Sequence, residues 1–277
     1  NTILCNSQRI INGIEFYDSE TCQTPICSAE GFNGINIDYD GNEKRIYKHS
    51  KDGINVSGVT CYEIVKSDED GFPLKILFKD ADGKLCKHFD GNYGIEFKYD
   101  QYGNEEYRRY LDEDGESSCK IYNQVCGLKS EYDMDRVKLQ YFVDEKGEIT
   151  TDAYGIVGVK YSYDEDTGEI SSMEYIGKDR KRCINPYGYS VVKFFYRDGK
   201  RYQNRYYVED GETLVNRIDG GLSYSILDVI VDDKCDRIKG YILRDIDEKV
   251  KLKIVYIYNS IGHVTNTKYY AEDNSLS

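Results

Sequence analysis

The sequence predicts an all-β chain, built of tandem antiparallel three-stranded β-meander repeats of about 33 residues. The repeats are expected to stack as an elongated curved sheet or solenoid, with a closed propeller as the alternative. Three observations predict this. Two short motifs recur with nearly the same period but in different phases. The stretches that carry them alternate apolar and polar residues. Turns rich in Asp and Gly follow them, and no window shows an apolar stripe of helical period.

The first motif is an aromatic anchor that closes a β-like stretch. GIEFKYDQYGN at 94–104 is echoed by GIEFYD at 13–18, GINIDYDGN at 34–42, GLKSEYDMD at 127–135, GVKYSYDEDTG at 158–168 and VVKFFYRDGK at 191–200. The anchors fall at Tyr17, Tyr39, Ser67, Tyr99, Tyr132, Tyr163, Tyr196, Val231 and Tyr258, with steps of 22, 28, 32, 33, 31, 33, 35 and 27 residues. The second motif follows as FKDADG at 78–83, YLDEDG at 110–115, FVDEKG at 142–147, YIGKDR at 175–180, YVEDG at 207–211, LRDIDE at 243–248 and YAEDN at 270–274. Its lead residues step by 32, 32, 33, 32, 36 and 27. Agreement between two phases makes the repeat the firmest feature of the chain.

Each unit follows from local physics. Ile95, Phe97 and Tyr99 alternate with Glu96, Lys98 and Asp100, and Val157, Val159, Tyr161 and Tyr163 repeat the pattern; period two with aromatic and β-branched residues is a strand. Asp-x-x-Gly then reverses the chain, because Asp and Gly accept the dihedrals of tight turns. A second strand, such as Glu105–Leu111, returns to an Asp-x-Asp-Gly turn. A third, less regular strand leads to a Tyr-Gly step, as at Tyr93-Gly94, Tyr154-Gly155 and Tyr187-Gly188. A meander this small buries too little surface to stand alone, so neighbouring units must cover each other's aromatic faces.

Composition sets the bounds on function. Lys and Arg total 37 against 50 Asp and Glu, a net charge of −13, with a pI near 4.8. This opposes a nucleic-acid partner, whose phosphates require clustered cations; KRIYK at 44–48 and KDRKR at 178–182 are short and flanked by acid. No run of ~18 apolar residues is present to cross a membrane. The mean hydropathy of −0.67 favours disorder, but 13% aromatic content opposes it.

The nine cysteines cannot all pair within one chain. None forms a C-x-x-C motif. Cys22 and Cys27 are spaced to close a small loop and Cys119 and Cys126 to staple neighbouring segments, but most cysteines are expected to be small buried hydrophobes off a fixed repeat phase. Asn55-Val56-Ser57 fits a glycosylation sequon.

The units YGIEFKYDQYGNEEYRRYLDEDG and YGYSVVKFFYRDGKRYQNRYYVEDG resemble the tandem YD-type, Rhs-like repeats of bacterial surface and secreted proteins. The resemblance runs over roughly residues 13–274 and departs at Ser67 and Val231, where the anchor Tyr is missing. It implies residues 1–33 as a degenerate N-terminal repeat or cap and 34–277 as one continuous repeat domain. It also implies an extracellular or cell-surface location and a binding or scaffolding role without catalysis.

Candidate chemistry is repetitive rather than singular. Asp80-Ala81-Asp82-Gly83 and Asp112-Glu113-Asp114-Gly115 cluster carboxylates as calcium requires, but they lack the ligand series of an EF-hand and are read as turns. No cofactor is expected. The three histidines, His49, His88 and His263, carry no nucleophile signature, and no phosphate loop, G-x-S-x-G or H-E-x-x-H is present. The best binding candidates are tyrosines, because sugar rings stack on aromatic faces: Tyr99, Tyr110, Tyr132, Tyr163, Tyr175, Tyr196, Tyr207 and Tyr270. In adjacent pairs such as Tyr206-Tyr207 and Tyr269-Tyr270 at most one ring is expected in the core. The chain is therefore read as a non-catalytic surface module for a carbohydrate or protein receptor. A structural spacer of a larger protein is the second reading and a hydrolase the third.

Overall fold

The computed structural model describes residues 2–5, 11–15, 34–40, 43–49, 59, 61–118, 120–121, 124–232, 237–259 and 264–271. All regular elements among them are strands. They group into two compact units. The first, Asn1–Ser130 with Phe142–Thr150 and Asn259–His263, carries β1 (Thr2–Cys5), β2 (Ile11–Glu15), β3 (Gly34–Asp40), β4 (Glu43–His49), β5 (Cys61–Ser67), β6 (Pro73–Lys79), β7 (Gly94–Tyr99), β8 (Glu105–Leu111) and the start of β9 (Gly127–Asp133). The second, Glu131–Tyr141 with Thr151–Tyr258 and Val264–Ser277, carries most of β10 (Arg136–Val143), then β11 (Ile156–Tyr163), β12 (Ile170–Gly177), β13 (Val191–Arg197), β14 (Lys200–Tyr207), β15 (Arg217–Asp219), β16 (Leu222–Tyr224), β17 (Ile226–Val231), β18 (Ile238–Arg244), β19 (Val250–Tyr258) and β20 (Val264–Tyr270).

The predicted antiparallel meander repeat is the observed architecture. Hairpins open at Cys61, Gly94, Gly127, Ile156, Val191 and Ile226, which are 33, 33, 29, 35 and 35 residues apart. Long ladders join the two strands of a hairpin, as in Gly94–Tyr99 against Glu105–Leu111. Shorter ladders join one hairpin to the next: Lys75–Leu77 with Gly94–Glu96, Ser172–Glu174 with Val191–Lys193, and Gln203–Arg205 with Ile226–Asp228. Successive repeats thus share one hydrogen-bonded sheet within each unit, unlike the separate blades of the propeller alternative. The third strand of the unit is short. After each second strand from β6 to β14 the chain folds back through a single bridge: Lys79 to Leu85, Leu111 to Ser118, Val143 to Ile149, Ile176 to Arg182 and Tyr207 to Leu214.

The Asp-x-x-Gly turns share one design, except Asp112–Gly115, where Asp114 is the acceptor. Asp100 Oδ1 accepts the N–H groups of Tyr102 and Asn104 at 2.8 and 2.9 Å. Asp80, Asp144, Asp152 and Asp245 accept the equivalent pairs, two and four residues on. The fourth residue closes the turn in the left-handed region, φ 84° at Gly103 and 80° at Gly147, which a residue without a Cβ adopts most readily. At Asn185 the same turn is made by an amide, whose Oδ1 accepts from Tyr187 and Tyr189.

The anchor tyrosines join consecutive hairpins. Tyr99 donates its hydroxyl to the Pro73 carbonyl at 3.0 Å, Tyr163 to Val137 at 2.8 Å and Tyr196 to Ile170 at 3.1 Å, each spanning 26 residues, and Tyr258 donates to Ile238 at 2.6 Å. Arg136 covers the Tyr163 ring and Arg237 the Tyr258 ring, at 5.5 and 4.8 Å from the centroids. Tyr163→Phe keeps the ring and removes the bond, so a loss of roughly 1 kcal/mol in urea unfolding is expected; an unchanged midpoint would show that the hydroxyl contributes nothing.

The core of the second unit is aromatic. Tyr189, Val192, Tyr206, Tyr224 and Leu243 are buried together, and the rings of Tyr175, Tyr189, Tyr206 and Tyr224 follow each other at 5.7, 4.8 and 5.8 Å. Tyr206 and Tyr207 are both buried, which corrects the expectation that only one of the pair is core. Tyr207 points to the other side of the strand, where Lys193 caps its ring at 4.8 Å.

Candidate functional site

The structure places the predicted tyrosines mainly in packing roles. Tyr110 and Tyr207 are buried, so their faces do not reach a ligand, a correction to their choice as sugar platforms. Tyr99, Tyr163 and Tyr196 are half-buried with their hydroxyls engaged between hairpins. Tyr175 is half-buried against Tyr189, and Tyr132 and Tyr270 are half-buried as well. Parity along a strand separates its two faces but does not say which of them a neighbouring layer covers.

Most of the exposed rings lie at turns instead; Tyr269, in β20, is the exception among the described residues. The turn entering β7 is His88-Phe89-Asp90-Gly91, closed by Gly91 N–H to the His88 carbonyl at 2.9 Å. The turns entering β11 and β13 are Asp152-Ala153-Tyr154-Gly155 and Asn185-Pro186-Tyr187-Gly188, closed in the same way at 3.2 and 2.9 Å. Phe89 is 57% exposed, Tyr154 64% and Tyr187 43%. In sequence these rings, with Tyr122, step by 33, 32 and 33 residues, one to a repeat; Tyr122 itself lies outside the described residues. The Tyr-Gly step marks two of them, Tyr154 and Tyr187, but falls at Tyr93 rather than Phe89 in the earlier repeat.

One of these turns is unlike the others. Between β14 and β17 the repeat's turn is widened into the hairpin β15–β16, which forms its own two-stranded sheet. Its Ile218 N–H donates to the Tyr187 carbonyl at 2.8 Å. Arg217 enters a cage of four rings, at 4.8 Å from the Tyr187 centroid, 5.3 from Tyr206, 5.7 from Tyr224 and 5.9 from Tyr189. Its Nη1 donates to the Tyr206 hydroxyl at 3.2 Å and its Nη2 to Asp219 Oδ2 at 2.6 Å. Burial pushes the Tyr189 and Tyr224 hydroxyls well above the usual phenol range.

A cavity of about 540 Å³ in the first unit is lined by Arg45, Tyr47, Cys61, Glu63, Lys79 and Asp82, among others. Glu63 is buried between Arg45, 2.8 Å away, and Lys79. Burial alone would raise its carboxyl, but hydrogen bonds from Lys79 and Arg45 hold it below the ordinary range. Burial and the neighbouring Glu63 push the Cys61 thiol up, the direction that leaves a thiol unreactive.

Cys61, Cys86, Cys126 and Cys183 are free thiols, and Cys61 and Cys126 are buried. Cys22, Cys27 and Cys119 lie outside the described residues, as do the 55–57 sequon and His263. Cys86 and Cys183 occupy one repeat position after all, each following a bridge residue and donating its N–H across the return, to Phe78 and Tyr175. The His88 ring packs on Phe78 and Phe89 at 5.0 and 4.0 Å.

The acidic turns use their carboxylates internally. Asp114 accepts from Glu116 and Ser117 amides and the Ser117 hydroxyl, and Asp210 does the same with Glu212 and Thr213. Among the described residues no group of three or more His, Cys, Asp or Glu is placed to hold a metal ion. The Ser117 hydroxyl and the turn amides bring Asp114 down to about 2, and like contacts lower Asp100, Asp164 and Asp210. These carboxyls lie below their unfolded values, so they add stability above about pH 4 that is lost as pH falls toward 2. Urea midpoints are expected to be level from neutrality to about pH 5 and to fall steadily below about pH 4; a midpoint unchanged down to pH 2 would contradict these turns.

No known family and no protein of curated function matches this chain. Among solved structures it is similar to a chain of the Tc holotoxin pore of Photorhabdus luminescens carrying a TccC3 variant, at 11% identity and a TM-score of 0.27. It is also similar to chains of a TcdB2–TccC3–TEV structure and a TcdB2–TccC3–Cdc42 structure, at 9% and 11% identity and TM-scores of 0.21. Each comparison covers 98% of this chain, which spans 18% of the length of those chains.

Proposed function

We propose that this chain is a non-catalytic β-repeat scaffold that works as an extracellular or cell-surface binding module, for a carbohydrate or a protein receptor. The observation that carries the reading is the series of aromatic rings held in solvent at one turn per repeat, Phe89, Tyr154 and Tyr187, on a frame where many of the other tyrosines pack or bond between strands. Rigid aromatic rings on fixed turns lose little entropy on binding, and repeated weak contacts gain by multivalency. The non-catalytic part of the reading is supported by the cavity, where the carboxyl stays ionised in a closed ion-pair network and the thiol stays protonated. The acidic net charge supports a ligand other than nucleic acid, and no cofactor is assigned a role.

A spacer in a larger surface or secreted protein is the second reading. The hydroxyl bonds from Tyr99, Tyr163, Tyr196 and Tyr258 favour it, because they stiffen each hairpin against the one before. Binding of the fluorescent chain to a panel of bacterial and animal cells separates the two. The module reading expects saturable binding that falls in the triple variant Phe89→Ala, Tyr154→Ala, Tyr187→Ala. Loss after periodate treatment of the cells would identify carbohydrate, and loss after protease a protein receptor. No saturable binding to any cell, or equal binding by the variant, would overturn the module and leave the spacer.

A further inference from the structure

We infer that Tyr187, Arg217 and Asp219 form the principal ligand-binding site of this chain, and that its ligand is a saccharide unit stacked on the Tyr187 ring. The inference rests on the carbohydrate form of the reading above and adds where on the scaffold the sugar sits.

The argument starts from what distinguishes the three exposed turn rings. Phe89 and Tyr154 stand on turns of the common repeat. Tyr187 stands on the turn that the β15–β16 hairpin covers, with a backbone hydrogen bond from Ile218 and the Arg217 guanidinium 4.8 Å from its ring centre. That guanidinium is itself fixed by Tyr206 and Asp219. A ring supported in this way is pre-organised, so less ordering is required when a ligand lands on it. The residue nonetheless keeps 43% of its surface in solvent.

The same place offers the polar groups a sugar requires. Hydroxyl groups need a donor and an acceptor close to the stacking ring. Arg217 is the donor and the Asp219 carboxylate, 46% exposed, is the acceptor. The residue between the hairpin base and that carboxylate, Ile218, is bonded to the Tyr187 turn, so the acceptor is held beside the ring rather than on a separate loop. The guanidinium lies over one face of the Tyr187 ring, so the sugar is placed on the opposite face, where a flat apolar surface with charged groups beside it fits the apolar face and equatorial hydroxyls of a pyranose. It is also singular, whereas the other turn features recur from repeat to repeat.

The test is binding of the full chain to a printed array of neutral and acidic mono- to hexasaccharides, followed by titration of the best ligand. Tyr187→Ala and Asp219→Asn are each expected to weaken binding roughly tenfold or more, and Tyr154→Ala and Phe89→Ala less than about threefold. Asp219→Asn keeps the side-chain shape and removes the charge that the ligand and Arg217 share, and thermal melts confirm that each variant is folded. Equal losses in Tyr154→Ala or Phe89→Ala, or wild-type affinity in Asp219→Asn, would overturn the assignment while leaving a carbohydrate-binding scaffold. A wild-type chain that binds no glycan on the array would overturn both.

Discussion

Gly127→Ala is expected to destabilise the chain by about 3 kcal/mol, the upper end of the cost of overpacking. Gly127 opens β9, where a Cβ would stand 2.1 Å from the Arg108 carbonyl oxygen and 3.1 Å from Val143 Cγ2. Real side chains do not approach a backbone oxygen so closely, so the strand must move away from β8. That movement strains the short ladder that joins Tyr107–Arg109 to Gly127–Lys129. Gly199→Ala is the control: its φ of 72° costs something, but nothing lies within 4 Å, and a loss of about 1 kcal/mol is expected. Urea unfolding of both variants checks this; equal losses would show that the close approach is not a constraint.

Arg182→Ala should lower stability by a similar amount, roughly 3 kcal/mol, because it strands a buried carboxylate. Glu174 is buried, and Arg182 meets it through Nε and Nη2, both at 2.9 Å. The third arm of the guanidinium reaches into the turn of the next repeat, where Nη1 donates to the Glu209 and Asp210 carbonyls at 3.1 and 3.0 Å. The hydrogen bonds from Arg182 hold the Glu174 carboxyl below its ordinary range against the opposing effect of burial. Lys160, at 4.0 Å, and Lys193 are other cations that act on Glu174 and replace none of these directed bonds. Lys160→Ala is expected to cost less than about 0.5 kcal/mol. If Arg182→Ala also proved near neutral, the contact between repeats would be ornamental.

The sequence disclosed the frame because the frame is periodic. Alternation at Ile95, Phe97 and Tyr99 and the Asp-x-x-Gly turns each act within a few residues, and they recur often enough to outweigh degenerate copies such as Ser67. Local pattern overstates the third strand of the unit: at Leu85, Ile149 and Leu214 the return forms a single bridge each, because pairing depends on partners that a local window does not contain.

The candidate site was less legible for a physical reason. A tyrosine at a strand position and one at a turn are the same residue type, and only the tertiary layer separates a hydroxyl bonded between repeats from a ring in solvent. Tyr163 and Tyr154 illustrate this nine residues apart. The Arg217 cage draws on Tyr187, Tyr189, Tyr206 and Tyr224, which come from one turn region and the two strands β14 and β16, and no spacing rule marks them. The segment R-I-D-G-G-L stands at the phase of the other turns, Gly220 following Gly188 by 32 residues, and only the extra residues before Ile226 mark it as different.

Peptide-resolved hydrogen exchange tests the central claim, that successive hairpins are one hydrogen-bonded sheet within each unit. The short junction ladders, 75–77 with 94–96, 107–109 with 127–129, 172–174 with 191–193 and 203–205 with 226–228, are expected to exchange as slowly as the hairpins they join. Fast exchange at those junctions alongside protected hairpins would mean independent modules, and the repeat scaffold described here would be contradicted.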